Sequence, residues 1–144
     1  MSSWSEARAR EIIAEQAGLE GPALPIFHAL QEEFGCVPHA AVPLVAEALN
    51  VSRAEVHGVI SFYHDFRTEP ARGAVVKICR AEACQARGVD ALAAHAETWH
   101  GASATIGSTF CLGLCASGPA AMVNGVPYAR LTPERLDAVL EAVT

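Results

Sequence analysis

The chain has 144 residues, a formal net charge of −6 and 51% apolar residues. That apolar share supplies a core for one domain or two small ones, no apolar run approaches a membrane span, and nothing in Met1-Ser2-Ser3-Trp4-Ser5-Glu6 reads as a secretory signal. The acidic balance argues against nucleic acid as a partner, and five cysteines in a chain expected to be cytoplasmic point to metal ligation or redox chemistry rather than to kept disulfides.

The first half reads as helices. Ser3-x-x-Glu6 is a capping-box pattern, followed by Ile12 and Ile13 on a short apolar face that Gly18 stops. Pro22 and Pro25 suit the first turn of a second helix, with Phe27, Leu30 and Phe34 at apolar spacing and Gly35 as its end. Val42, Val45 and Leu49 mark a third, with Asn50 as its stop. Ser52-x-x-Glu55 opens a fourth, carrying Val56, Val59, Ile60 and Tyr63 on one face. Four short helices with brief connections make a helical bundle or arm over residues 1–70.

The character changes at Thr68-Glu69-Pro70-Ala71-Arg72-Gly73, where a domain boundary is expected. Ala74 to Ile78 is a β-branched run ending at Cys79. Residues 89–100 read as a helix with Leu92, Ala96 and Trp99 on one face and Gly101 at its end. A weak strand is expected within 103–110. Residues 120–123, Asn124-Gly125 and 126–129 read as strand, hairpin turn and strand. Thr132-Pro133 caps a last helix with Leu136, Val139, Leu140 and Val143 inward. The order β-α-β-β-β-α makes 71–144 a thioredoxin-like layer and the whole chain α+β. A unit this small often needs a staple beyond its core.

Four cysteines fall into two pairs. Cys79 and Cys84 are spaced C-x4-C, and Cys111 and Cys115 are spaced C-x3-C. Cys79 closes a strand, with Cys84 in the loop after it. Cys111 follows the weak strand, and Gly113, Gly118 and Pro119 keep the segment around Cys115 irregular. Loops at one sheet edge can bring four thiolates together, and four thiolates suit zinc or an iron–sulfur cluster. Structural zinc favours tighter knuckles, most often C-x2-C, whereas a 2Fe–2S cluster gives each iron its own pair and tolerates longer intervals. The plant-type ferredoxin spacing is absent. Disulfide exchange of the thioredoxin kind needs a C-x-x-C dithiol, and neither pair has one.

The segments around these pairs carry a resemblance. Residues 76–88 (Val76-Lys77-Ile78-Cys79-Arg80-Ala81-Glu82-Ala83-Cys84-Gln85-Ala86-Arg87-Gly88) and 111–125, from Cys111 to Gly125, resemble the two cluster motifs of the thioredoxin-like 2Fe–2S subunits. These accompany the flavin subunit in NADH dehydrogenase (complex I), NAD-linked hydrogenases and soluble NAD-linked formate dehydrogenases. Leu30 to Pro38 and Val51 to Tyr63 resemble that family's helical arm, and Leu131 to Leu136 its final helix. The Arg-Ala-Glu-Ala filling of the first pair, the short loop before Cys111 and the compact length are most similar to the gamma subunit of NAD-dependent molybdenum formate dehydrogenase.

The resemblance implies one 2Fe–2S cluster, with Cys79 and Cys84 on one iron and Cys111 and Cys115 on the other, and one-electron transfer without substrate chemistry of its own. It implies a flavin- and NAD-binding iron–sulfur subunit and a molybdenum subunit as partners. These would hold FMN, NAD, further iron–sulfur clusters and the molybdenum cofactor. No Gly-x-Gly-x-x-Gly fingerprint or P-loop occurs in this chain, in keeping with flavin and NAD bound elsewhere. The same subunit in complex I or a hydrogenase is the nearest alternative, and a zinc-stabilised interaction module is the alternative of another class. Cys36, without a spaced partner, reads as a small buried residue. His57 and His64 on one helix and His95 and His100 on another read as surface or hydrogen-bonded residues. The Phe62-Tyr63-His64 stretch reads as bundle core before partner contact, and Pro119 as a turn residue for which a cis bond is open.

Overall fold

The computed structural model describes residues 3–99 and 104–143, which form two compact units, Met1–Pro70 and Ala71–Thr144. His100, Gly101 and Ser103 lie outside the described residues.

The first unit is helical: α1 (Glu6–Gln16), α2 (Ala23–Phe34), α3 (Val42–Leu49) and α4 (Arg53–Phe62). Ser5, not Ser3, caps α1, its hydroxyl accepting from the Arg8 N–H, and α1 ends at Gln16 before Gly18 is reached. α2 ends where Gly35 turns left-handed at φ 77°, and α3 ends on Asn50 at φ 52°. The capping box at α4 is complete: the Ser52 N–H donates to Glu55 Oε2 at 2.8 Å, and the Glu55 N–H donates to Ser52 Oγ at 3.1 Å. Ile26, Phe27, Leu30 and Val45 form the centre of the core. The Gln31 amide holds the segment after α4 with both its ends, donating to the Asp65 carbonyl at 2.8 Å and accepting from the Arg67 N–H at 2.7 Å.

That segment departs from the expected core. Phe62 is 75% exposed, and Tyr63 and His64 are exposed beyond the last turn of α4. The apolar stripe of α4 closes instead on Val56 and Ile60, so Tyr63 has no core-facing position and His64 is not on the helix with His57.

The second unit is built on a four-stranded sheet of order β2-β1-β3-β4, from β1 (Ala74–Cys79), β2 (Ala104–Thr109), β3 (Ala121–Val123) and β4 (Val126–Tyr128). β2 runs parallel to β1, and β3 pairs antiparallel with both β1 and β4 across the Asn124-Gly125 hairpin. The short helix α5 (Glu82–Gln85) and α6 (Val89–Glu97) connect β1 to β2, and α7 (Pro133–Val143) follows the sheet. Ala74, Val76 and Ile78 alternate into a core with Leu92, Ala121, Val123, Leu136 and Leu140. Val143, expected inward, is exposed, because the buried residues of α7 end at Leu140 and Val143 lies in its last turn. α6 ends at Glu97, three residues short of the expected end, leaving Trp99 packed beyond it. His95 Nε2 meets Asp137 Oδ1 at 2.7 Å and ties α6 to α7. No helix among the described residues is long and apolar enough to cross a membrane.

The capping box supplies a test. Replacing Ser52 with alanine removes the cap and is expected to lower the stability of the helical unit by about 1 kcal/mol in urea unfolding at neutral pH. The Ser52 backbone N–H, with its hydroxyl, holds the Glu55 carboxyl below the ordinary glutamate range. That stabilisation is present above the ordinary range and lost as the pH falls through the folded value, so the gap between wild type and variant should narrow in acid.

Candidate metal centre

β1 delivers Cys79 to the end of the central strand, where the side chain is buried at 2% exposure. Burial alone opposes a thiolate there, but the backbone N–H groups of Ala81, Cys111 and Leu112 and the Cys84 thiol outweigh it and bring Cys79 below its ordinary value. Two of those donors depend on Cys111 itself, which takes the left-handed conformation at φ 68°. That turn makes two successive N–H groups converge on one sulfur, as in an anion-binding nest.

Cys84 is not in an open loop as expected. It lies in α5, buried at 1%, and burial first, then the Cys79 sulfur, push its thiol up. Ala120 ties the pair together, its carbonyl accepting from the Cys79 N–H at 3.0 Å and its N–H donating to the Cys84 sulfur. A β-carbon on Gly118 would stand only 3.1 Å from Cys84 Sγ and 3.1 Å from Arg87 Cδ, so glycine is what lets the sulfur lie against this backbone. The Gly118–Pro119 peptide is cis.

Cys111 and Cys115 are exposed, with their sulfurs 3.6 Å apart. Two thiolates on one tetrahedral metal at ~2.3 Å stand about 3.8 Å apart, so this pair already has a shared-metal separation. The hydrogen bond and charge of Cys111 raise the Cys115 thiol. Cys115 lies in a 3-10 turn with Ala116 and Ser117, more regular than the glycines around it suggest. It interacts electrostatically with Cys79 and Cys84 as well, which brings all four cysteines into one neighbourhood. Among the described residues, no group of three or more His, Cys, Asp or Glu side chains is gathered to hold a single metal ion. The sulfurs stand as an inner pair and an outer pair, a donor set that fits two irons with two thiolates each.

The fifth cysteine is elsewhere. Cys36 is buried in the helical unit, where burial raises its thiol against the opposing effect of Arg67. His95 is engaged with Asp137, and His57 is exposed on α4 beside the His39 ring. Spacing alone did not reveal Ala120, Gly118 or the backbone of Cys111 and Leu112 as parts of the site. The run of small residues at Gly118-Pro119-Ala120 was its one visible trace.

One buried and one exposed cysteine pair thus lie at the end of the sheet where β1 and β2 terminate, and comparison with known proteins gives the class of protein that carries them. The family model for thioredoxin-like [2Fe-2S] ferredoxins matches residues 9–144, and this chain belongs to that family. It is 30% identical to the E subunit of the NADH-quinone oxidoreductase of Escherichia coli K12, over 95% of this chain and 90% of that one. It is 29% identical to the HndA subunit of the NADP-reducing hydrogenase of Solidesulfovibrio fructosivorans, over 84% and 76%. Its fold is similar to part of a crystal structure of an NAD+-reducing [NiFe]-hydrogenase in the air-oxidised state, with a TM-score of 0.66 and 30% identity. The match covers 81% of this chain and spans 22% of the hydrogenase chain.

Three substitutions test the site. Cys115→Ser is expected to abolish or alter the visible absorption of the iron-loaded protein, whereas Cys36→Ser leaves it unchanged. Gly118→Ala is expected to give a folded protein that loses iron faster to a chelator, because the new methyl group presses on Cys84 Sγ.

Proposed function

We propose that this chain is a one-electron carrier, the small 2Fe–2S subunit of an NAD-linked oxidoreductase complex. The observation that carries the reading is the two cysteine pairs at one end of the sheet, one buried and supplied with backbone donors, the other at the surface. Cys79 and Cys84 are assigned to one iron, and Cys111 and Cys115 to the other. A bound 2Fe–2S cluster supplies the capacity to take and release a single electron. Around it, the N–H groups of Ala81, Cys111 and Leu112 direct positive dipole ends at Cys79, which favours added negative charge. Exposure of Cys111 and Cys115 makes theirs the side from which electrons enter and leave. Family membership weighs against the zinc-stabilised module.

The relatives named for NADH-quinone oxidoreductase and for hydrogenase support a place beside a flavin- and NAD-binding subunit. Phe62 and Tyr63, exposed on the helical unit, are suited to such a contact. We assign the complex to formate oxidation, with a molybdenum subunit feeding electrons, on the residues between Cys79 and Cys84. The second reading, the equivalent small subunit of a quinone-linked complex I facing the cytoplasm, is favoured by the identity to the Escherichia coli protein.

Affinity purification of the tagged chain from its native cells separates the two. Co-purification of a flavin protein with molybdenum and formate-dependent NAD+ reduction is the expected result. Membrane subunits with quinone reduction would replace formate dehydrogenase by complex I, and recovery without any flavoprotein would remove the subunit reading altogether.

A further inference from the structure

Charge is divided unevenly along this acidic chain. Residues 1–70 carry four arginines against ten carboxylates, whereas 71–144 carry six basic residues against six carboxylates. Within the second unit Arg87, Arg130 and Arg135 lie near the cysteine loops, whereas Arg72 precedes β1 and Lys77 lies within it. A β-carbon on Gly118 would lie 3.1 Å from both Arg87 Cδ and Cys84 Sγ, which places the Arg87 stem near Cys84. The Arg130 N–H donates to the Ser117 carbonyl at 2.7 Å, two residues after Cys115. Arg135 Nη1 in turn donates to the Arg130 carbonyl at 2.9 Å.

All three arginines are exposed, and none is paired with a carboxylate among the described residues. The nearby acids are otherwise engaged: Asp90 meets Arg80 at 3.0 Å, Asp137 meets His95, and Glu134 is held by Thr132 and faces His95. Glu82, the first residue of α5, is the one carboxylate between the paired cysteines. Phe110, 75% exposed beside Cys111, adds an apolar patch to the same face.

We propose that Arg87, Arg130 and Arg135 form a cationic rim that docks an acidic protein surface over the electron-exchange side of the cysteine site. Three unpaired guanidiniums at one edge of a chain with net charge −6 focus an attractive potential where the molecule as a whole repels anions. Arginine also suits the role chemically, since its fork pairs bidentately with carboxylates. Partners with acidic surfaces are thereby brought to Cys111 and Cys115, and cationic ones are turned away.

The inference rests on the iron–sulfur reading, and one experiment separates the two. The protein is loaded with iron and sulfide, reduced with dithionite, and mixed in stopped flow with anionic hexacyanoferrate(III) or with cationic hexaammineruthenium(III). Each reagent accepts one electron per reduced cluster. In the Arg87→Gln/Arg130→Gln/Arg135→Gln variant, the rate with the anion should fall about tenfold at low ionic strength and the rate with the cation should rise. The difference should fade above about 0.1 M salt, where the screening length is about 10 Å. Arg72→Gln, just before β1 and so at the far end of the strand from Cys79, should leave both rates near wild type. Unchanged rates in the triple variant, or rates that shift together for both reagents, would overturn the rim: the latter is what a change of potential alone produces. Failure of the wild-type chain to retain iron and sulfide would instead overturn the cluster reading beneath it.

Discussion

Keeping negative charge on a buried sulfur is the constraint that the proposed centre places on the second unit. Removing a thiolate from water is unfavourable unless donors replace the water, and Cys79 is almost wholly enclosed. Three backbone N–H groups make up the loss, and each requires a particular chain path. Ala81 must follow β1 directly, and Cys111 must adopt a left-handed turn just after β2. The parallel pairing of β1 with β2, from Ala74 opposite Ala104 to Cys79 opposite Thr109, brings Cys111 to the same end as Cys79. The donation from the Arg80 N–H to the Thr109 carbonyl at 2.8 Å extends that ladder to the edge of the site. β3 closes the arrangement from the other side, through the two bonds of Ala120.

Much of this was legible in the sequence, and the reasons differ from element to element. Gly35, Asn50 and Asn124-Gly125 were readable because left-handed backbone restricts residue type, and the Ser52–Glu55 box because two side chains and two N–H groups satisfy each other locally. β2 was the weak strand: Gly107, Ser108 and Thr109 lack an apolar alternation, and it is the pairing with β1 that makes it a strand. Phe62 and Tyr63 misled because apolar spacing cannot tell a face turned to the core from one left open. Ser3 misled for a smaller reason, since Ser5 two residues later satisfies the first turn equally well.

At the site, spacing marked the four cysteines as candidates but not their unequal environments. Inner and outer pairs arise because α5 buries Cys84 while the 3-10 turn leaves Cys115 at the surface. Neither backbone donors nor the room made by Gly118 have a side-chain signature. The surface charge has the same character. Arg87, Arg130 and Arg135 are far apart in sequence, and only the contacts of Gly118, Ser117 and Arg130 gather them at one edge. The proposed function rests on an asymmetry: a protected pair that would keep the cofactor, and an exposed pair beside the proposed charged rim that would meet a partner.

Whether the four cysteines of 71–144 hold one 2Fe–2S cluster is decided by metal analysis joined to electron paramagnetic resonance. Iron and acid-labile sulfide are expected in equal amounts in a red-brown oxidised protein, with a paramagnetic signal that emerges on one-electron reduction and is lost in Cys79→Ser. A colourless protein holding stoichiometric zinc, with no signal after reduction, would be incompatible with a cluster at these cysteines.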